Sequence, residues 1–370
     1  MKTRIHWSLV SLFVLAVACT PDSPVGPPST GRVAAASAAV RGADAQSITV
    51  MTRNLYIGAD VDVVIGALAS PDPSDDIPAL VAAIATLQNT AFPLRVQALA
   101  DEIARARPHV VGLQEVSEIH INLTGLGLPL VDQDFLALLT AALHARGLPY
   151  KLAGESTNLT AAPIPGIAVT DHDAILVDTE RVTLTAPAIA ATYTLNIGLV
   201  APGVILKRGY VRIAAMIDGT PITIASTHLE SGNAPGVSDL RAAQAFELVN
   251  LVGAASPAIL LGDFNDTTGS AMHQAVTGAG FTDTWAAMRL GARGFTCCEV
   301  ADLSNQVPVL NQRIDYVFTR GLGGPNGRLL GQVTIVGDQP ADKIAGPSFR
   351  IWPSDHAGLV ANFLQTPMVP

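Results

Sequence analysis

The sequence predicts an α/β fold in which two β-sheets pack together with helices outside them. Three observations lead there. Ala258-Ile-Leu-Leu261 is an unbroken apolar run, as expected of a strand buried on both faces. Twice, a helical pattern leads into a buried strand that closes on polar residues: Leu94 to Arg107 before Val110 to Glu115, and Asp239 to Leu251 before Ala258 to Asp263. Between these two rounds, Lys151 to Thr227 is β-rich.

The opening residues read as a targeting segment. Lys2 and Arg4 form a short basic region, and Trp7 to Ala18 is an apolar run too short to span a bilayer but suited to a signal peptide. Leu15-Ala-Val-Ala-Cys19 resembles a bacterial lipobox, with Cys19 as the lipidated first residue of the mature chain; Ala16 departs from the ideal motif. Residues 20–46, rich in Pro, Ala, Ser and Gly, read as a disordered tether. The expected organisation is a lipoprotein signal peptide over 1–19, the tether, and one folded domain over 47–366. An exported protein, lipid-anchored in the cell envelope, follows; plain secretion is the alternative.

From there the elements come in order. Ser47 to Asn54 alternates polar and apolar residues, as a half-buried strand does, and ends in Arg53-Asn54. Asp60 to Phe92 holds two Ala/Val/Leu-rich helical patterns around a Pro/Asp-rich turn at Ser70 to Asp76. Leu94 to Arg107 is an amphipathic helix with Leu94, Ala98, Leu99, Ile103 and Ala106 on one stripe, ended by Pro108. Val110 to Glu115 is a buried strand closing on a carboxylate, and Phe135 to Arg146 is again helical. Strands follow at His172 to Val177, Gly209 to Ile217 and Pro221 to Thr227, the last two joined through an Asp218-Gly219 turn. His172-Asp173 leads into Ala174 to Val177; a turn role is favoured for Asp173, with a place in the cleft lining as the alternative. A helix at Ala271 to Thr277 precedes a strand at Arg313 to Thr319 with Asp315 inside it, and the chain closes through Pro353 to Ala361.

Composition narrows the function. The chain is 49% hydrophobic and 14% charged, which supports a large core and excludes global disorder. A formal net charge of −9 argues against a broad nucleic-acid-binding face, though not against an enzyme that meets phosphate through a bound metal. Scarce charge is nevertheless concentrated at strand ends: Asn54, Glu115, His228, Asp263 with Asn265, and Asp355-His356, with Asp315 in a sixth strand. Taken alone, Gly262-Asp-Phe-Asn265 is either a rigid rim of oxygen ligands or an Asx-rich turn. The set together suggests one shared site.

Arg53-Asn54, Leu113-Gln-Glu115, Ser226-Thr-His-Leu229, Gly262-Asp-Phe-Asn265, Arg313-Ile-Asp-Tyr316 and Ser354-Asp-His356 occur in this order between Ile48 and Leu364. They resemble the motifs of the endonuclease/exonuclease/phosphatase superfamily, which includes deoxyribonuclease I-like nucleases, neutral sphingomyelinases and inositol polyphosphate phosphatases. The resemblance implies a four-layer α/β sandwich, two packed mixed/antiparallel β-sheets flanked by helices, and metal-dependent hydrolysis of phosphoesters. It assigns Glu115 as principal Mg²⁺ ligand, assisted by Asn54, with Asp355 available to a second metal; Mn²⁺ or Ca²⁺ are alternatives. It assigns His356 as the base that activates water, Asp315 as its orienting partner, and Asp263 as a group placing the nucleophile or metal. Asn265 contacts the phosphate, and His228 the phosphoryl charge or leaving group. The chemistry is independently reasonable: oxygen donors suit hard cations, and a His backed by a carboxylate suits water activation. Blander roles exist for two of these residues, Asp315 as a partner of Arg313 and His228 as a core histidine bonded to the backbone. Arg208 and Arg241 read as structural.

Two segments depart from the family pattern. Asn54 and Glu115 are widely spaced, and the excess is the helical insertion near residues 60–92, either a lid or platform over the site or a decoration on its rim. Gly294 to Gln312 is the second, carrying Cys297-Cys298, for which free thiols, a vicinal disulfide or an incidental pair are open and the disulfide is favoured. The expected protein is a monomeric exported phosphodiesterase acting on a lipid or small phosphodiester. An extracellular nuclease, a phosphomonoesterase, and an inactive binding lipoprotein are the alternatives.

Overall fold

The computed structural model describes residues 47–324 and 328–364. The expected signal peptide, Cys19 and the tether lie outside the described residues. Strand β1 (Ser47–Asn54) is followed by helices α1 (Val61–Ala69), α2 (Asp76–Thr90) and α3 (Phe92–Ala106). Then come β2 (Val110–Ile121), β3 (Val131–Asp134), α4 (Phe135–Ala145), β4 (Tyr150–Ala161) and β5 (Ile167–Asp178). Short strands β6 (Val182–Leu184), β7 (Ile189–Thr192), β8 (Gly198–Ala201) and β9 (Val204–Leu206) precede the hairpin of β10 (Gly209–Ile217) and β11 (Thr220–His228). Next are α5 (Val237–Val252), β12 (Ala258–Asp263), α6 (Ala271–Gly278), β13 (Thr282–Asp283) and α7 (Thr284–Met288). Last are β14 (Asp315–Arg320), β15 (Gly331–Val336), β16 (Ile344–Ala345), β17 (Arg350–Ile351) and β18 (Gly358–Leu364).

Among the described residues these strands build a nine-stranded sheet in the order β15-β18-β1-β2-β5-β4-β9-β8, with β3 on β2. A seven-stranded sheet runs β13-β14-β12-β11-β10-β6, with β7 on β10. Side-chain alternation explains the layers. On β1, Ile48 and Val50 enter the core between the sheets, while Met51 joins the cluster beneath α2, α3 and α4. On β12, Ile259 and Leu261 face the other sheet, whereas Ala258 and Leu260 pack under α5 and α6. Every residue of β12 is buried, as the apolar run predicts. Fully burying each large side chain contributes about 1.5–3 kcal/mol, so these faces determine the register of their strands. The result is an α/β sandwich of two mixed sheets flanked by helices.

Helix α3 shows how local sequence produces an element. Phe92, Val96, Leu99, Ala100 and Ile103 are buried at helical spacing. Pro93 fits the first turn, so the helix starts before the expected Leu94. Arg107 leaves the helix in a left-handed conformation just ahead of Pro108, which disfavours a helical predecessor.

Topology gathers the polar strand ends. The pairs β1–β2 and β11–β12 are parallel, each connected through helices, so their C-terminal ends share an edge. Asn54 thereby aligns with Gln114, and His228 with Asp263. Antiparallel β14 starts at Asp315, directly opposite Asp263. Antiparallel β18 starts just after Asp355-His356 and pairs its Leu359 with Thr52, near the end of β1.

Three local expectations are corrected. Strand β2 does not close at Glu115 but continues to Ile121, because Ile119 and Ile121 bury their side chains in the helix-facing core. Strand β12 closes on Asp263 as expected, running through Gly262, whose φ of 146° lets the backbone approach the Thr227 carbonyl where a Cβ would collide. Asp315 is the first residue of its strand, not an internal one. Asp173 is not in a turn; it lies fully buried inside β5.

Candidate active site

At the shared edge of the sheets a cleft of about 400 Å³ opens. Glu115, His228, Asp263, Asn265, Asp355 and His356 line it, and Asn54 and Asp315 are buried beneath, each bonded to a lining residue. The eight predicted site residues within the described chain are therefore brought together.

The central pair is His356 and Asp315. His356 Nδ1 lies 2.8 Å from Asp315 Oδ2, and Arg313 instead pairs with Asp283 at 2.8 Å, which removes the blander role for Asp315. His356 Nε2 points the other way, 3.8 Å from Asp263 Oδ2. Burial opposes a charge on this imidazole, but Asp315, then Asp355 and Asp263, outweigh it and raise its pKa well above the usual range. Behind the ring, Arg53 donates to the His356 carbonyl and to both oxygens of Glu102 on α3, at 2.9 and 3.1 Å. Arg53 thus clamps the loop carrying the histidine to the end of β1.

Glu115 reaches the cleft through a distortion. Between Leu113 and Val116 the pairing of β2 with β5 shifts, placing two residues of β2 opposite Asp173. Glu115 sits in this bulge at φ 55°, and the bulge re-aims its carboxylate out of the sheet. Its Oε1 accepts from Asn54 Nδ2 at 2.9 Å and its Oε2 from the Ile57 amide at 2.7 Å, which fixes the group. Asn54 is itself locked, its Oδ1 accepting from the Tyr56 amide at 2.8 Å.

His228 Nε2 is 3.6 Å from Asp263 Oδ2, and its Nδ1 faces Asp173 Oδ1 at 3.9 Å. The ring is not held by the backbone as a core histidine would be; Nδ1 has no hydrogen-bond partner among the described residues. Burial, then the charges of Arg208 and His356, push its pKa well below the usual value, so it is neutral at pH 7. The surroundings thus shift the two histidines beside Asp263 in opposite directions. Asp263 Oδ1 accepts from the Asn265 amide at 2.9 Å, and Asn265, left-handed at φ 51°, donates Nδ2 to the Leu229 carbonyl at 3.0 Å. One further amide hydrogen and Oδ1 of Asn265 remain for a ligand.

Several cleft residues were not anticipated. Asp171 accepts from Ser117 at 2.7 Å and lines the cleft. With Asp173 it occupies alternate positions of β5, a spacing that puts both carboxylates on one face. Arg208 is not merely structural: it lines the cleft while bonded to Glu230 at 3.3 Å and Ser231 at 3.1 Å. Arg241 stays apart, paired with Asp266 at 3.1 Å. Both unusual segments contribute. Helix α1 supplies Val61, Asp62 and Ile65 to one wall, and the loop from Gly294 supplies Cys298, Glu299 and Ala301. Cys297 and Cys298 form a vicinal disulfide, with Cys298 Sγ 3.8 Å from His356 Nε2.

The donor set fits a hard divalent cation. Glu115, Asp263 and Asp355 converge on one cleft, and Asp263 and Asp355 are each raised to about 7, first by burial and next by neighbouring carboxylates, Asp315 for the former and Glu115 for the latter. Such a concentration of buried oxygen ligands is what Mg²⁺-type ions take and what their charge offsets.

Comparison with known proteins decides the family. A model of the Endonuclease/Exonuclease/phosphatase family matches residues 87–356. The chain belongs to this family. Its members are metal-dependent hydrolases of phosphoester bonds, and so is this protein. No curated protein matches the chain in sequence. Among solved structures, an endonuclease/exonuclease/phosphatase family protein from Bacteroides thetaiotaomicron superimposes at a TM-score of 0.56, 16% identical, covering 88% of this chain and 97% of its own. A mannosyl-6-phosphatase from the same organism gives 0.52 at 16% identity, covering 86% and 99%. D. rerio TDP2, complexed with a single-strand DNA product, gives 0.50 at 16%, covering 86% and 98%. At these identities the likeness is one of fold.

Proposed function

We propose that the protein is an exported, Mg²⁺-dependent phosphodiesterase that hydrolyses a lipid or small phosphodiester with water activated by the His356–Asp315 pair. The observation that carries this reading is the 2.8 Å contact between His356 Nδ1 and Asp315 Oδ2, with Nε2 turned to the acidic cleft. Asp315 holds the proton on Nδ1, which leaves Nε2 to accept a proton from the attacking water. Asp263, within 3.8 Å of Nε2, orients that water. Neutral His228 donates from Nε2 to the phosphoryl oxygen or the leaving group, and the spare amide hydrogen of Asn265 holds the phosphate. Glu115, assisted by Asn54 and Asp355, would hold the ion. When bound, the ion supplies Lewis-acid stabilisation of the phosphoryl charge and offsets the carboxylates that keep His356 protonated.

The cleft's charge supports a small substrate over a polynucleotide. Asp60, Asp62, Glu115, Asp171, Asp263, Glu299 and Asp355 line it, against Arg208 as the one basic lining residue other than histidine among those described. A single phosphodiester can be compensated by a metal, whereas a polyanion would need the basic track that is lacking among these residues.

The test is a substrate panel of a chromogenic phosphodiester, sphingomyelin, plasmid DNA and an inositol phosphate, run with Mg²⁺ and with EDTA. The reading expects EDTA-sensitive hydrolysis of the diester and of lipid ahead of DNA. Faster cleavage of plasmid would make the protein a nuclease, and inactivity with Mg²⁺, Mn²⁺ and Ca²⁺ would make it a binding lipoprotein. Export through Cys19 is checked by radiolabelled palmitate incorporation, which Cys19→Ser should abolish.

A further inference from the structure

Beside the catalytic cleft lies a second space of about 90 Å³, a partly open pocket between α1, α2 and the helix-facing side of the nine-stranded sheet. Ile65 and Leu68 come from α1, Ala83 and Ile84 from α2, Ile119 from β2 and Leu159 from β4; every other lining residue is also apolar. No polar atom is exposed inside it. A purely apolar lining favours hydrocarbon over water, as a buried cavity of about 150 Å³ takes benzene. At about 30 Å³ per water-sized group, this one has room for about three methylenes.

Its position gives it a use. Ile57, Ala59, Val61, Ile65 and Leu159 line both this space and the catalytic cleft, so the two spaces adjoin. The catalytic cleft next to it carries the acidic side chains and the His356–Asp315 pair. The helices forming the pocket are those of the insertion between Asn54 and Glu115, which a phosphoesterase core does not require.

We propose that the α1–α2 insertion forms an apolar subsite for an alkyl or acyl segment of an amphiphilic phosphodiester, whose phosphate lies beside His356. This rests on the phosphodiesterase reading of the cleft. The insertion selects the substrate: the cleft handles the phosphate, and the pocket adds apolar binding energy for the chain. A headgroup-only diester binds the cleft alone, and a chain-bearing one spans both spaces.

The experiment uses the Mg²⁺-loaded protein and a series of alkyl p-nitrophenyl phosphodiesters, from methyl to octyl, below their micellar concentrations. Burying each methylene should raise kcat/KM about fourfold for about three carbons, after which the series should level off. Ala83→Phe, at a partly exposed position of α2, fills the pocket. It should flatten the series while leaving methyl-diester turnover within about twofold of wild type. Leu68→Ala enlarges the pocket and should move the plateau to longer chains. A flat wild-type series, or an unchanged slope in folded Ala83→Phe, overturns the proposal. Turnover of the methyl diester reports separately on the phosphodiesterase reading. If that diester is inert, calorimetric affinities of monoalkyl phosphates give the same slope, and a flat affinity series again overturns the subsite.

Discussion

Replacing Asp315 by Asn puts the catalytic pair to the most direct test. Asp315 is 1% exposed and its Oδ2 meets His356 Nδ1 at 2.8 Å, so the carboxylate dictates which nitrogen carries the proton. An amide nitrogen in its place donates to Nδ1, moves the proton to Nε2 and removes the acceptor that the water needs. General-base action is worth about 100- to 10,000-fold, which at 1.36 kcal/mol per decade is about 3–5 kcal/mol of transition-state stabilisation. His356→Ala removes the same contribution, so the two effects overlap. Independent losses would multiply; for groups acting as one unit, the double variant should be no slower than the worse single one. The assay is kcat on a chromogenic phosphodiester at saturating Mg²⁺, with circular dichroism and thermal midpoints as folding controls. Asn is nearly isosteric, and Asp315 Oδ1 has no hydrogen-bond partner among the described residues, so the fold should hold. A kcat within tenfold of wild type for Asp315→Asn, or multiplicative losses in the double variant, would refute the reasoning.

Three further outcomes are expected. Glu115→Gln keeps the bond from Asn54 but removes the anionic charge, so turnover should fall at least about 100-fold and calorimetry should show weakened Mg²⁺ binding; undiminished affinity would move the ion elsewhere. Glu102→Ala strands the Arg53 charge, since the two side chains are 1% and 0% exposed; a stability loss of about 3–5 kcal/mol in urea melts is expected, and a loss under 1 kcal/mol would contradict it. His109 accepts the Thr49 amide at Nδ1, at 3.0 Å, and burial, then Arg181, hold its pKa below the ordinary 6.5. The unfolded chain therefore takes up the proton first. Stability should be full above pH 6.5 and decline as pH falls below it, and His109→Asn, which can still accept that bond, should decline less between pH 7 and 5 in thermal melts.

Much of this protein was determined by its sequence alone. Burial on both faces of β12 is legible in Ala258 to Leu261, because four apolar residues in a row leave no polar face to turn to water. The order of polar residues at strand ends foretold the cleft, since parallel strands joined through helices must bring their ends to one edge. Helices on either side of the Ser70 to Asp76 turn were legible from composition, and so was their attachment beside Asn54. Tertiary structure decided the rest, because it depends on residues far apart in the chain. Glu115 reaches the cleft only through a bulge that breaks the pairing of β2 with β5, and nothing in its neighbours announces a left-handed backbone. Asp173 looked like a turn residue because Asp favours turns, yet the fold buries it inside β5 facing His228. Arg53, read as a motif residue, proves to be the clamp between Glu102 and the His356 loop, 49 and 303 residues away. The apolar pocket beside the cleft exists only where the inserted helices meet the sheet. Periodicity reports which face of an element is buried, but only the packed chain reveals which other element covers that face and what space is left between them.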